Sequence, residues 1–413
     1  MGCAASTEAT AEIAKSLPAY ESDGKKIHKS ATAGTEAMTS SSHHDPFPAP
    51  AAKVGKDQIA PASSTVAVGD ITIRYASLSK KGRDPDDTSK QNQDCFGVHE
   101  RFADMDAMFF GVYDGHGPHG DKCSQFVQRR LPELASDHII HQQFGDEVTV
   151  DQVRASLHMA HTECNDELRL SEINDSYSGT TAITLYIHDG RITVCNVGDS
   201  RAVLGTKKAG VLRSVPLSKD QTPHRPDEAA RCKRSGARIL SFGQINPSED
   251  DDPDVEDPPR VWSKNGNYPG TAFTRSLGDA VAEKIGVFAE PEMLTVKISP
   301  NEKLIVLASD GIYDVMSNQE VIDLCYEHKD DPMMACSAVI EKSHKEWMLN
   351  EECKCEESAS YDDMTVICIF LNDDISQSGV NDQLPEQTSD HMQRRKSRVR
   401  QKTLRNLEEM EEN

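Results

Sequence analysis

The chain has 413 residues, 37% of them hydrophobic, which is enough for one large domain or two ordinary domains with a sizeable core. Its formal net charge of -23 argues against nucleic-acid binding, because phosphate backbones select for clustered Lys and Arg. The 11 cysteines are scattered and no secretory signal is visible, so we expect reduced thiols in a cytoplasmic protein rather than structural disulfides.

Residues 1–65 are rich in Ala, Ser, Thr, Pro, Lys and His, as in "TSSSHHDPFPAPAAK", which predicts a disordered N-terminal arm. The arm begins "MGCAAS", which places Gly2 and Ser6 as the N-myristoylation pattern requires. A palmitoyl chain on Cys3 would add a second anchor, and two acyl chains hold a protein stably on a membrane. We therefore predict acylation and membrane association; the alternative is a chance match to a six-residue pattern.

Residues 66–372 carry the signals of a folded domain. The β-branched runs "TTAITLYI" and "RITVCNVG" flank an Asp-Gly pair, which predicts a hairpin. Thr149 and Gln152 form a capping box at the start of a predicted helix, whose apolar positions are Val150, Val153, Leu157, Ala160, Cys164 and Leu168. "NQEVIDLCYEH" and "MMACSAVIEKSHKEWMLN" predict further helices, and "EKLIVLASD" and "DMTVICIFL" predict strands. Hairpins beside paired helices favour an α+β fold with antiparallel sheets.

Residues 373–413 form a polar tail, for which we also expect disorder. Arg394 and Arg395 precede Ser397 in "RRKS", a pattern that basophilic kinases recognise. Phosphorylation of Ser397 would weaken a basic patch that helps an acylated protein to bind an anionic membrane. A chance match in a disordered tail is the alternative.

Several apolar strands begin or end at an aspartate, and the acids concerned are Asp94, Asp114, Asp199, Asp310, Asp362 and Asp363. If these strand ends converge, repulsion and desolvation would forbid a shared pocket unless a cation neutralised it. All-oxygen ligation suits Mg²⁺ or Mn²⁺, and two such ions can activate water and clamp a phosphoryl oxygen. Gly115 can offer its carbonyl as a ligand, and His116 stands where it could protonate a leaving oxygen.

These acids lie in eight blocks that together resemble the metal-dependent Ser/Thr protein phosphatase family of type 2C. The blocks are "NQDCFGV" (92–98), "FFGVYDGHGPHG" (109–120), "SGTTA" (178–182), "VCNVGDSRAVL" (194–204), "LSKDQTPHRPDEAARCKRSGA" (217–237), "AFTRSLGD" (272–279), "VLASDGIYDVM" (306–316) and "YDDMTVICIF" (361–370). The resemblance covers nearly all of the central region. It implies a four-layer α-β-β-α sandwich of two antiparallel sheets flanked by helices, with a dinuclear Mg²⁺/Mn²⁺ centre at one edge.

Carried over residue by residue, the resemblance implies that Asp114 bridges two ions and that the Gly115 carbonyl is a ligand. Asp310 and Asp362 match the remaining direct ligands. Asp199 and Asp314 resemble ligands of a possible third ion; the alternative is that both acids serve turns.

The implied reaction is in-line attack of metal-bound water on phosphoserine or phosphothreonine, without a phosphoenzyme. Asp94 matches an acid that acts on this water, and His116 matches the general acid. Phosphoprotein substrates are the implied partners, and we expect a monomer. A catalytically impaired scaffold of the same fold, which would lack ligand acids, and a small-molecule phosphohydrolase are the alternatives.

Two positions depart from the family pattern. Ser89 stands where many members have a phosphate-binding arginine, so Lys80, Lys81, Arg83 or Lys90 would have to bind the phosphate. Of these we favour Arg83 and Lys90 as the phosphate-binding residues.

The other departure is an Asp-Asp pair before the last strand, where the family has Asp-Asn. Asp363 is expected to add negative charge beside the ions. Further acids, in "SEDDDPDVEDPP", fall in the family's flap over the site. They could form a solvated loop, or could favour phosphosites set among basic residues.

Overall fold

The computed structural model describes residues 62–142 except Asp86 and Thr88, together with 148–247, 257–350 and 359–371. The predicted acylation sites Gly2 and Cys3 and the predicted phosphosite Ser397 lie outside these residues, as does most of the acidic part of the flap.

Two large antiparallel sheets form the centre of the molecule. One contains β1 (Ala62–Val68), β2 (Ile71–Lys80), β9 (Arg201–Lys208), β10 (Val211–Pro216), β16 (Glu302–Ala308) and β17 (Met364–Leu371), in the order β1-β2-β17-β16-β9-β10. The other contains β3 (Cys95–Glu100), β4 (Ala107–Tyr113), β7 (Ala182–His188), β8 (Arg191–Val197) and β15 (Glu292–Lys297), in the order β15-β8-β7-β4-β3.

Two small antiparallel sheets lie outside this pair. The first contains β5 (Gly115–His116), β6 (Gly179–Thr180) and β14 (Leu277–Gly278), with β6 in the middle. The second contains β11 (Arg238–Leu240), β12 (Arg260–Trp262) and β13 (Pro269–Thr271), and it belongs to the segment that the sequence identified as a flap.

The helices are α1 (Gly120–Gln142), α2 (Val150–Leu170), α3 (Pro226–Arg234), α4 (Phe242–Ile245), α5 (Ala280–Glu283), α6 (Asp310–Tyr313), α7 (Asn318–Glu327) and α8 (Pro332–Asn350). The predicted capping box of α2 is present, since Thr149 Oγ1 accepts from Gln152 N and the Gln152 side chain accepts from Thr149 N. Among the described helices, none combines the length and the apolar character needed to cross a membrane.

Strand alternation explains how the layers stack. In β4, Phe109 and Tyr113 pack with α1 and α2, whereas Phe110 and Val112 pack into the space between the two sheets. In β17, Ile367 and its alternate neighbours also face that space, and the intervening residues pack with α7 and α8. Because each sheet buries both of its faces, the order of layers is helices, sheet, sheet, helices. The predicted α-β-β-α sandwich is therefore confirmed.

The predicted hairpin is also present, formed by β7 and β8. Its two turn residues, Asp189 and Gly190, have φ angles of 46° and 64°. A two-residue turn with both φ values positive matches the twist of the flanking strands, which is why Asp-Gly is favoured there.

The first strand and the cysteines add two observations. β1 starts at Ala62, inside the segment assigned to the N-terminal arm, because its residues form a continuous antiparallel register with β2 from Ala62 to Val68. The eight cysteines that the structure describes are buried and form no disulfide. They are Cys95, Cys123, Cys164, Cys195, Cys232, Cys325, Cys336 and Cys368.

Asp363 holds the loop between β2 and β3 against the start of β17. Its Oδ1 accepts from Gly82 N at 2.5 Å and its Oδ2 accepts from Gln93 N at 2.8 Å. The residue is only 4% exposed. This carboxylate thus satisfies two backbone donors from one loop, a structural role that the sequence did not indicate.

We expect Asp363→Ala to lower the free energy of unfolding by about 2 kcal/mol, because both N–H groups lose their acceptor. Urea unfolding measures the effect. Asp330→Asn is the matched control, since Asp330 is 90% exposed and should change stability by less than about 0.5 kcal/mol. Equal effects of the two variants would show that Asp363 does not hold the loop.

Candidate active site

Acids from both large sheets meet at one edge of the sandwich. Asp114 directly follows β4, Asp199 follows the end of β8, Asp310 follows β16 at the start of α6, and Asp362 precedes β17. A cavity of about 400 Å³ is lined by these four acids and by Lys90, Gln93, Gly115, His116, Gly117, Tyr177, Thr181, Arg260, Pro269, Gly270, Thr271, Ala272, Phe273 and Asp279. The structure thus brings four of the six strand-end acids to one cavity, whereas Asp94 and Asp363 do not line it.

The carboxyl groups in this cavity raise one another's pKa values. Asp114 and Asp310 both line this cavity, and their carboxylates repel each other. Burial, followed by repulsion from Asp310, raises the pKa of Asp114 well above its ordinary value, and burial, followed by repulsion from Asp362, does the same for Asp310. Such a group of acids can be fully ionised only if positive charge enters the site.

Asp94 lies behind the cavity lining and is 3% exposed. Its Oδ2 accepts from Ser309 Oγ at 2.7 Å. Burial and the neighbouring Asp363 raise the pKa of Asp94 to about 7. Within the described part of the chain, Asp94 Oδ1 and Asp310 Oδ1 are buried oxygens without a hydrogen-bond partner. Orphaned oxygens of this kind fit a site that binds hard divalent cations.

Asp199 and Asp314 form a second acidic group beside Asp310. Burial, with repulsion from Asp220 and Asp314, raises the pKa of Asp199 to about 7. Burial and Asp362 raise the pKa of Asp314 to about 6. Asp314 does not line the cavity, and Asp220, which the sequence analysis did not select, accepts two hydrogen bonds from Arg201, at 2.9 and 2.5 Å.

A different acidic group contains Asp227, Glu228 and Glu292, whose oxygens lie within 4.8 Å of one another. Arg225 pairs with both Asp227 and Glu292 at 2.7 Å, and Arg275 pairs with Glu228 at 2.8 Å. These ion pairs already neutralise the carboxylates, so the group needs no cation.

The predicted general acid His116 lines the cavity from β5. Its Nε2 lies 2.6 Å from Asp279 Oδ2, and its ring centroid lies 4.3 Å from that of Phe273. Neither Asp279 nor Phe273 was selected from the sequence, although both belong to the matching block "AFTRSLGD".

Lys90 is the predicted phosphate-binding residue that lines the cavity. Its Nζ lies 3.1 Å from Asp362 Oδ1 and 3.9 Å from Asp363 Oδ2. Burial disfavours its charged form, but Asp362 and Asp363 outweigh burial and the pKa of Lys90 is raised. The ammonium group thus stays charged beside the acids.

The other positions named for phosphate binding lie differently. Arg83 forms a backbone bridge with Tyr361 and is not among the residues lining the cavity. Ser89 donates through both N and Oγ to Asp87 Oδ1. Arg260, which the sequence analysis passed over, lines the cavity from β12 and donates to Gly270 O at 3.1 Å. No phosphate-binding motif surrounds Arg260 in the sequence. Its place in the site is evident only from the structure, in which the flap segment lies beside the cavity.

Comparison with known proteins gives one consistent result. The family model described as "Protein phosphatase 2C" matches residues 84–346, more than half of the chain. The Arabidopsis thaliana protein named "Probable protein phosphatase 2C 35" is 40% identical over 328 residues, covering 77% of this chain and 89% of its own. The Oryza sativa subsp. japonica protein named "Probable protein phosphatase 2C 75" is 30% identical over 341 residues, covering 74% and 73%.

Among solved structures, the serine-threonine phosphatase 2C from Toxoplasma gondii superposes with a TM-score of 0.62 at 18% identity. The match covers 76% of this chain and 99% of that protein, and it supports the four-layer fold. Together with the sequence matches, it leads to one assignment. The chain belongs to the protein phosphatase 2C family and is a protein serine/threonine phosphatase.

Proposed function

We propose that this phosphatase uses Mg²⁺ or Mn²⁺, two ions with room for a third, to hydrolyse phosphoserine and phosphothreonine in proteins by direct attack of water. The observation that carries the proposal is the convergence of Asp114, Asp310 and Asp362 on one cavity, with buried carboxylate oxygens that lack a partner in the described residues. A site built from carboxylate oxygens favours hard cations.

Asp114, Asp310, Asp362 and the Gly115 carbonyl would hold the two ions, and Asp199 with Asp314 would hold a third. Bound at these oxygens, divalent ions supply Lewis-acid activation of water and neutralise phosphoryl oxygens. The scaffold alternative predicted missing ligand acids, but the three direct carboxylate ligands are present in the sequence.

The remaining roles belong to residues around the ions. Asp94, buried and bonded to Ser309, is suited to accept a proton from attacking water, since a base is most effective when its pKa lies near the working pH. His116 donates a proton to the leaving oxygen. Lys90 binds the phosphate as a point charge, and Arg260 faces the same cavity from the flap.

The experiment that tests this function is hydrolysis of a phosphothreonine peptide with Mg²⁺, with Mn²⁺ and with EDTA. We expect activity that requires the metal and falls ~10³-fold or more in Asp114→Ala, because the variant loses one of the carboxylates that would hold the ions. Lys90→Met should raise KM about tenfold with a smaller change in kcat.

Lys264→Met is the matched control for Lys90→Met, since Lys264 is exposed and does not line the cavity. It should leave both constants unchanged. A metal-loaded wild type that binds phosphopeptide without hydrolysing it would overturn the proposed activity and favour the scaffold.

We expect Mn²⁺ to stabilise the protein more strongly as pH rises from about 5.5 to about 7.5, because the cation competes with protons for the carboxylates of the site. The window follows from pKa values of about 7 for Asp94 and Asp199 and about 6 for Asp314, all above the ordinary value of 3.8. Without metal, the stability that these groups contribute is present at low pH and lost as they ionise. The measurement is the difference in Tm between Mn²⁺ and EDTA samples.

Subtracting the Tm in EDTA from the Tm in Mn²⁺ at each pH removes the contribution of groups whose titration does not depend on the metal. Burial lowers the pKa of His99 and of His161 to about 4, but this acts equally with and without metal. In EDTA at pH 8, Asp310→Asn should raise Tm, because one repelling charge is gone, and the variant should lose most of the gain from Mn²⁺. A Mn²⁺ effect that is independent of pH would contradict this account.

We also propose that the protein is cytoplasmic and membrane-associated through acylation of Gly2 and Cys3, and that phosphorylation of Ser397 weakens this attachment. The support is the "MGCAAS" and "RRKS" patterns. In cell fractionation, Gly2→Ala should shift the protein to the soluble fraction, and Ser397→Asp should do so in part. Membrane recovery equal to wild type in both variants would reject the proposal.

A further inference from the structure

We propose that Asp279 is a positioning residue for His116: it fixes the imidazole so that its Nδ1 holds the proton that the leaving serine or threonine oxygen receives. This inference deepens the proposed function and rests on it. The observation behind it is the 2.6 Å contact between His116 Nε2 and Asp279 Oδ2 at the wall of the cavity.

Asp279 is built to hold one orientation. The residue is 3% exposed, and its Oδ2 also accepts from Ser276 Oγ at 2.7 Å. A carboxylate that accepts from a hydroxyl and from an imidazole N–H at the same oxygen is restrained in both position and rotation.

The backbone at Asp279 is strained, and its neighbours hold it in place. Asp279 has φ 53° and ψ 50°, the left-handed region that non-glycine residues rarely occupy. Its N donates to Ser178 O at 2.9 Å, and Gly278 N donates to Asn165 Oδ1 at 2.8 Å. Strain of this kind persists only where surrounding contacts determine it, and it is found most often at functional sites.

The imidazole is confined on its other sides as well. The Phe273 ring lies against it, and Gly179 is its partner across the β5–β6 pair. A Cβ at Gly179 would collide with the Asp279 carboxylate and come within 2.9 Å of His116 Nε2. The absence of a side chain at this position is therefore what lets the two groups meet.

The chemical consequence concerns the two ring nitrogens. Because an ionised carboxylate only accepts, Nε2 carries a hydrogen directed at Asp279, and Nδ1 is the nitrogen left for the substrate. As the P–O bond breaks, its electron pair remains on the leaving oxygen, and that oxygen takes the Nδ1 proton. His116 is then neutral, with its Nε2–H still donating to Asp279, and solvent returns a proton to Nδ1.

Two substrates with different leaving groups distinguish this role of Asp279 from a merely structural one. An alkoxide leaving from phosphothreonine needs a proton, whereas p-nitrophenolate leaves as a stable anion. We expect Asp279→Asn to lower kcat/KM for a phosphothreonine peptide about 100-fold and that for p-nitrophenyl phosphate less than about threefold. Asn tolerates the left-handed backbone, so the substitution keeps the local conformation.

Three further variants sharpen the test. If Asp279 acts through His116, the double variant of Asp279→Asn and His116→Gln should be no slower on the peptide than His116→Gln alone. Ser276→Ala should give a weaker form of the same substrate-selective loss. Asp175→Asn is the matched control, because Asp175 is a buried, Arg169-bound carboxylate nearby, and this change should leave the ratio of the two substrates unaltered.

Ring ¹⁵N chemical shifts give a readout that does not depend on turnover. The His116 signals, assigned by their loss in His116→Gln, should show hydrogen on Nε2 in the wild type and a shift of hydrogen toward Nδ1 in neutral Asp279→Asn. Unchanged shifts in a folded variant would count against the assignment.

The outcomes are distinguishable. Equal losses on both substrates, no loss on the peptide, or independent effects in the double variant would overturn the role of Asp279 while the wild type stayed active. A wild type without metal-dependent hydrolysis of either substrate would instead remove the proposed function, and this inference with it.

Discussion

Repulsion among carboxylates at one edge of the sandwich is the constraint around which the site is organised. Asp114 and Asp310 line the same cavity and repel each other, and further acids surround them. A buried group of acids like this one would be unfavourable on its own, because charges of one sign that are removed from water have neither hydration nor an opposite charge to stabilise them. The stability of the rest of the fold allows the protein to keep this group of acids, and the proposed use of divalent cations rests on the same repulsion.

The two-sheet architecture explains how acids so distant in sequence come together. β4 and β16 belong to different sheets, yet Asp114 and Asp310 at their ends line one cavity. Asp363 then ties the β2–β3 loop to the start of β17, and Lys90 in that loop reaches Asp362. The two hydrogen bonds of Asp363 that hold this loop thus also set the position of the Lys90 ammonium group next to the site.

Local signals in the sequence were sufficient for much of this. The Asp-Gly turn and the Thr149 capping box each depend on neighbouring residues, and the structure contains both. Strand-end acids were predictable because apolar runs stop at them. The partnership of His116 with Asp279 was not, since it spans 163 positions and depends on an unusual backbone angle at Asp279. Arg260 was missed for a similar reason, because the approach of the flap is a tertiary property.

The burial of the cysteines has a practical consequence for studying how the layers come apart. Burial raises the pKa of Cys123 to about 12 and also raises that of Cys164, while contacts with Cys325 and Cys336, together with burial, raise that of Cys368, so these sulfurs are protonated as well as enclosed. A thiol reagent can reach them only after local opening. Cys123 belongs to α1 and Cys164 to α2, in the core cluster beneath one sheet, whereas Cys325 of α7 lies 3.5 Å from Cys368 of β17 in the cluster beneath the other. Their separate labelling rates would time the detachment of each helical layer from its own sheet.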